Sequence, residues 1–175
     1  MQRIDLPSAG KDARLDAVVT WLSALPPAAG TTPWARIASA SEDASFRRYF
    51  RVTDQAGATA VVMDAPPPQE DVRPFVSVGH LLASGGIHVP KILAEDVERG
   101  FLLLDDLGRT TYLAALANCT EVQRDAMFGD AIATLVQLQQ INPERASRPL
   151  ASYDAALLRR EIDLFPEWYL DRHTT

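Results

Sequence analysis

The sequence predicts an α+β fold: an amphipathic helix, then a five-stranded antiparallel sheet carrying one inserted helix, then an all-helical segment. Three observations predict it. Short apolar or alternating runs bounded by turn residues fill residues 34–64 and return at 89–107. Between the two blocks, Phe75, Val78, Leu81 and Leu82 repeat with helical spacing. After Gly108 every segment has helical character.

The first helix is expected over residues 12–25, where Leu15, Val18, Val19, Leu22 and Leu25 share one stripe and Pro26 and Pro27 end it. Three strands follow, carried by WARIASA, SFRRYFRV and ATAVVMDA. The DQAG turn at residues 54–57 suits a hairpin between the second and third, because Gly57 supplies a positive φ. Pro66, Pro67 and Pro68 stop the third strand, and Gly85 and Gly86 end the inserted helix. VPKILAED and GFLLLDDL are two further strands, the second with the continuous apolar run of a buried strand. TTYLAALA, residues 121–141 and residues 154–173 are helical, with Thr120 and Gln123 at the spacing of a capping box and a polar linker at 142–149.

Composition narrows the function classes. With 175 residues the chain holds one domain, or a domain plus part of another, at roughly 150 residues each. Hydrophobic residues at 47% and charged residues at 23% are a globular balance rather than a disordered one. A net charge of −6 with interspersed signs argues against nucleic acid as a partner. Cys119 stands alone, so no internal disulfide is expected and a reducing cytoplasm fits. The longest uncharged run, residues 17–35, is broken by Pro26, Pro27 and Gly30, and Asp5, Asp12 and Asp16 precede it; neither a membrane span nor a signal peptide is expected. His80, His88 and His173 have no metal-ligand spacing.

Two stretches carry candidate chemistry. SASEDASFRRYFRV runs a turn of small and acidic residues into arginines and aromatics; small side chains let backbone N–H groups approach a phosphate. Arg47 and Arg48 are candidate phosphate clamps, although neighbours on a strand point to opposite faces, so one of them serves structure. The bland alternative is a hairpin whose Arg47, Arg48 and Arg51 are merely solvated. GFLLLDDLG runs a buried strand into Asp105 and Asp106, which either cap the strand end or serve a site. Ile162, Phe165, Trp168 and Tyr169 form an aromatic-rich stripe expected to pack in a core, with Pro166 opening a new turn or kinking the helix.

Taken together, ASFRRYFRV, VVMDAPPP with EDVRPF, LLASGGIHVPKIL, FLLLDDLG with TYL, and YDAALLRREIDLFPEWYLDRH resemble the aminoglycoside phosphotransferase-like kinases. Within them the resemblance is strongest to the bacterial anomeric sugar kinases that phosphorylate N-acetylmuramate and N-acetylglucosamine in cell-wall (peptidoglycan) recycling. It implies a protein-kinase-like fold: an N-terminal helix and turn over residues 1–33, an N-lobe over 34–104, a hinge at 105–108 and the start of a helical C-lobe over 109–175. It implies ATP as phosphoryl donor, with Ser41, Asp43, Ala44, Ser45, Arg47 and Arg48 in the phosphate-covering segment and Asp105, Asp106 and Leu107 gripping adenine.

This chain departs from the kinase pattern in four places. The loop after the first strand has no glycine. Aligning VVMD with the V-A-I-K strand puts Met63 where the phosphate-pairing lysine stands. Glu70 and Asp71 lie at the start of the inserted helix, whereas an ion-pairing glutamate belongs in its interior, near Gly79 and His80. No H-x-D-x-x-x-x-N or D-F-G-like motif occurs, so the catalytic base and the magnesium ligands are expected outside these residues. The resemblance therefore implies the N-terminal portion of an ATP-dependent amino-sugar kinase, inactive by itself and exposing the surface where the missing lobe packs or copies self-associate. The competing expectation is a non-catalytic module that binds nucleotide or protein and covers that surface.

Overall fold

Asp12 opens the first helix: its carboxylate accepts the N–H groups of Arg14 and Leu15 at 3.1 and 3.0 Å, two of the donors a helix start leaves unpaired. The computed structural model describes residues 12–26, 33–42, 45–170 and 173. Helix α1 spans Ala13–Ala24 and buries Leu15, Val18, Trp21 and Leu22, with Val19 and Leu25 at the edge of the same core. That is the stripe expected from spacing, with Trp21 added.

The strands are β1 (Trp34–Glu42), β2 (Arg48–Asp54), β3 (Thr59–Asp64), β4 (Ile92–Asp96) and β5 (Phe101–Asp105), with α2 (Arg73–Ser84) between β3 and β4. They form one antiparallel sheet in the order β1-β2-β3-β5-β4. β1 continues through Ser41 and Glu42, opposite Tyr49 and Arg48, so these two residues belong to a strand rather than to the connecting loop. The β2–β3 turn closes as expected, with the Asp54 N–H donating to the Ala58 carbonyl at 2.9 Å and Gly57 at φ +91°.

Strand alternation divides the side chains between two cores. Phe50, Val52, Ala60, Val62, Phe101 and Leu103 meet α1 on one face. Met63, Leu102 and Leu104 meet Val72, Phe75 and Val76 at the start of α2 on the other, with Tyr49 and Val61 at the margin. Each large side chain that is fully buried here contributes roughly 1.5–3 kcal/mol. The N-terminal helix is thus integral to the sheet, covering the face opposite α2.

Gly100 sits at φ +75° before β5, and its carbonyl accepts the Ala65 N–H at 2.9 Å. A Cβ there would lie 1.9 Å from the Ala65 carbonyl oxygen, which is backbone and cannot rotate away. Gly100→Ala is expected to lower stability by about 2–3 kcal/mol, from strain and overpacking together. Urea unfolding checks this; a loss below about 0.5 kcal/mol would mean the turn relocates freely.

The later helices are α3 (Tyr112–Leu116), α4 (Glu121–Gln139) and α5 (Ala155–Leu164), with a 3-10 turn at Pro143–Arg145. Thr120 and Gln123 form both halves of a capping box at the start of α4. The linker at 142–149 docks on α2: the Ser147 hydroxyl donates to the buried Ser77 hydroxyl at 2.9 Å, and Arg148 reaches Asp71 at 3.6 Å. The Gln137 side-chain amide donates to the Gly85 carbonyl at 2.9 Å.

In the last helix one expectation is met and one is corrected. The break expected at Pro166 is present: after Leu164 the last helix widens into a π-helical turn over Phe165–Leu170, where Pro166 lacks the N–H a regular turn would use. And Ile162, Phe165, Trp168 and Tyr169 do not pack in a core. They are 55–60% exposed, with Phe165 stacked on Tyr169 at 5.4 Å. Phe128, Ile132, Leu135 and Val136 of α4 are likewise exposed.

Candidate functional site

β2 presents its arginines alternately. Arg48 shares the α1 face with Phe50 and Val52, whereas Tyr49 and Arg51 take the α2 face; Arg47 stands just ahead of the strand, beside Glu70. None of the three is merely solvated, which corrects the bland alternative: each is ion-paired.

On the α1 face Arg48 donates to Asp64 from Nε and Nη2 at 3.1 and 2.7 Å and to Asp12 from Nη1, its guanidinium lying 5.3 Å from the Phe50 ring. Arg14 donates to the second oxygen of Asp64 at 2.8 Å and stacks on Phe101 at 4.7 Å. Asp64 is wholly buried, so this cluster joins α1 to β2, β3 and the sheet core. The hydrogen bond from Arg48 holds the Asp12 carboxyl below the usual carboxylate range. Arg48 is therefore occupied on the α1 face.

On the α2 face the Arg47 Nε donates to Glu70 at 2.9 Å, and the Arg47 N–H donates to the Ser45 hydroxyl at 3.1 Å. Glu70 lies two residues ahead of Val72, the residue that caps α2, and its side chain is only 13% exposed. Met63 is fully buried against Val72, Leu102 and Leu104, so the lysine position of the kinase pattern is filled by an apolar core residue. Helix α2 itself contains no acidic residue.

At the end of β5 the two carboxylates are bonded within the protein. The Asp105 side chain accepts the Lys91 N–H at 2.6 Å, while the Asp105 N–H donates to the Lys91 carbonyl at 2.9 Å. Asp106 accepts Arg51 in bidentate fashion, Nε at 2.6 Å and Nη2 at 2.9 Å, and also takes the Gly108 N–H at 3.0 Å. Arg51 donates in addition to the Gly108 carbonyl at 3.0 Å. These bonds, led by the one from Arg51, hold the Asp106 carboxyl well below the usual carboxylate range. Leu107 projects beyond this clasp, 54% exposed.

The structure thus brings Ser45 and Arg47 together at the mouth of the β1–β2 loop, and Asp105, Asp106 and Leu107 at the end of β5. Ser41 lies in β1, and Asp43 and Ala44 lie outside the described residues. Glu70 and Arg51 are missing from the sequence-derived set. Arg51 could have been found by continuing the alternation from Tyr49; nothing local marks Glu70 as the partner of a residue 23 positions away. The resemblance implies magnesium, but among the described residues no three His, Cys, Asp or Glu side chains converge to hold a cation. These residues do not fit a metal site. No helix among them is long and apolar enough to cross a membrane.

Comparison with known proteins adds to the geometry. The model of the phosphotransferase enzyme family, APH, matches residues 36–174. The chain is 50% identical over 167 residues to the N-acetylmuramate/N-acetylglucosamine kinase of Pseudomonas putida, covering 92% of this chain and 47% of that protein. It is 50% identical over 169 residues to the protein of the same name from Pseudomonas aeruginosa, covering 93% and 48%. The Neisseria meningitidis serogroup B protein of that name is 42% identical over 132 residues, 75% of this chain and 38% of that protein. The chain spans about half the length of the first two relatives.

Proposed function

Since this chain belongs to the phosphotransferase enzyme family, we propose that the whole protein transfers the γ-phosphoryl group of ATP to the anomeric hydroxyl of N-acetylmuramate or N-acetylglucosamine in cytoplasmic peptidoglycan recycling. The described residues supply the nucleotide lobe, the hinge at 105–108 and the first helices of the substrate lobe. The observation that carries this reading is the 50% identity to kinases of that name along more than nine-tenths of the chain.

The transfer makes a bond from the sugar O1 to the γ-phosphorus and breaks the bond from that phosphorus to the β–γ bridging oxygen, releasing ADP. The hydroxyl proton goes to a base outside these residues, and the magnesium ligands lie there too. Within the chain, Arg47 meets phosphate charge at the mouth of the β1–β2 loop, where Ser45 fixes its backbone. Arg48 serves the α1 cluster instead. The carboxylates of Asp105 and Asp106 are committed within the protein, so adenine is read by the backbone around Leu107. The exposed stripe of Ile162, Phe165, Trp168 and Tyr169 supports a surface that the rest of the protein covers, against the alternative of a finished binding module.

The test is phosphate-transfer assay of the full-length protein with ATP and each sugar, reading the product by phosphorus NMR. A sugar 1-phosphate is expected; no transfer to either sugar would overturn the reading. The 175-residue chain assayed alone should show no turnover, because phosphoryl transfer rests on positioning and charge stabilisation by groups it lacks.

A further inference from the structure

We propose that Glu70 is a positioning residue for phosphoryl transfer, holding the Arg47 guanidinium in place for the triphosphate and tying the start of α2 to the bound nucleotide. The inference deepens the reading above and rests on it.

Among the described residues the sheet's α2 face has Arg36 and Arg51 on its strands, with Arg47 just ahead of β2. Val61, Met63, Leu102 and Leu104 are apolar, and Met63 is sealed against Val72. Arg51 is consumed by Asp106 and the Gly108 carbonyl. Arg36 lies exposed on β1 opposite Thr53, whereas Arg47 enters at the end of the loop that follows β1, where the proposed function puts the phosphates. Its Nε is bound to Glu70 at 2.9 Å, which leaves the terminal amino groups of the fork for Tyr49, within bonding reach of the guanidinium, and for phosphate oxygens.

Glu70 is built to be a fixed anchor. Its N–H donates to the Pro66 carbonyl at 3.0 Å, and its side chain is shielded from water, so competition from solvent is weak. A planar guanidinium already held along one edge has fewer orientations to lose when phosphate oxygens arrive. Because residue 70 leads directly into Val72 and α2, the same ion pair transmits the position of Arg47 to that helix. No acidic residue inside α2 could do this.

The experiment uses the full-length enzyme, with KM for ATP, KM for sugar, kcat and thermal unfolding measured for each variant. Glu70→Gln keeps an acceptor but removes the charge, and should raise KM for ATP about tenfold, the worth of one charge-assisted hydrogen bond, with KM for sugar within about twofold. Added to Arg47→Met, Glu70→Gln should cause no further loss, since both act through one guanidinium. The reversed pair, Arg47→Glu with Glu70→Arg, should recover thermal stability without recovering KM for ATP. Recovery of both in the reversed pair, or an unchanged KM for ATP in Glu70→Gln, would make the pair structural and overturn the proposal. A wild-type enzyme that phosphorylates neither sugar overturns the functional reading beneath it, whereas an active wild type with an indifferent Glu70→Gln overturns the positioning role alone.

Discussion

Replacing Arg14 and Arg48 together with alanine should lower the stability of the chain by about 3–5 kcal/mol, the cost of leaving a buried carboxylate without its partners. Asp64 has no exposed surface and takes both arginines, one on each oxygen. The arginines themselves are 30% and 37% exposed along their side chains, so they can turn to water when the carboxylate is removed. Asp64→Ala should therefore cost less, about 1–2 kcal/mol. Urea unfolding of the three proteins checks the order. If Asp64→Ala proves the more damaging, the cluster acts by anchoring α1 through the arginines rather than by neutralising a buried charge.

Arg51→Ala should cost about 2–4 kcal/mol at neutral pH and raise KM for ATP in the full-length enzyme, since Asp106 loses a bidentate partner in a position only 7% exposed. The pH dependence has a definite sign. Asp106 is depressed in the folded chain, so its contribution is fully present above the unfolded carboxylate value near about 4 and is lost as pH falls towards the folded value. Without Arg51 that carboxylate, still shielded, is easier to protonate, and acid relieves the penalty. The gap between wild type and variant should accordingly be widest at pH 7 and shrink on acidification. Unfolding curves at pH 7, at about pH 4 and at about pH 3 and below read it directly; a gap that stays constant or grows below about pH 4 would mean the loss comes from side-chain packing rather than from the Arg51–Asp106 charge pair.

Much of the lobe is legible along the chain because its signals are local. The stripe of α1, the Gly57 hairpin, the proline stop after β3 and the Thr120–Gln123 capping box each lie within a few residues of the feature they specify. The alternation that separates Arg48 from Arg51 is a property of any strand. The candidate site is only half legible. Arg47 and the end of β5 stand out in the sequence, but what occupies their charges does not, since Arg47 finds Glu70 across 23 positions and Arg51 finds Asp106 across 55. The aromatic stripe of residues 162–169 shows the limit from the other side. Its spacing announces an apolar face, yet spacing carries no information on whether a neighbour exists to cover it.

The sequence by itself determined the order of elements, the five strands and the absence of a lysine at Met63, because side-chain period, turn chemistry and residue identity are written position by position. Only the tertiary structure decided that Asp64 neutralises Arg14 and Arg48, that Asp106 belongs to Arg51, and that Glu70 holds Arg47. Ion pairs form between whichever charges the sheet register and the loops bring within a few ångströms, and that proximity is a property of the assembled chain.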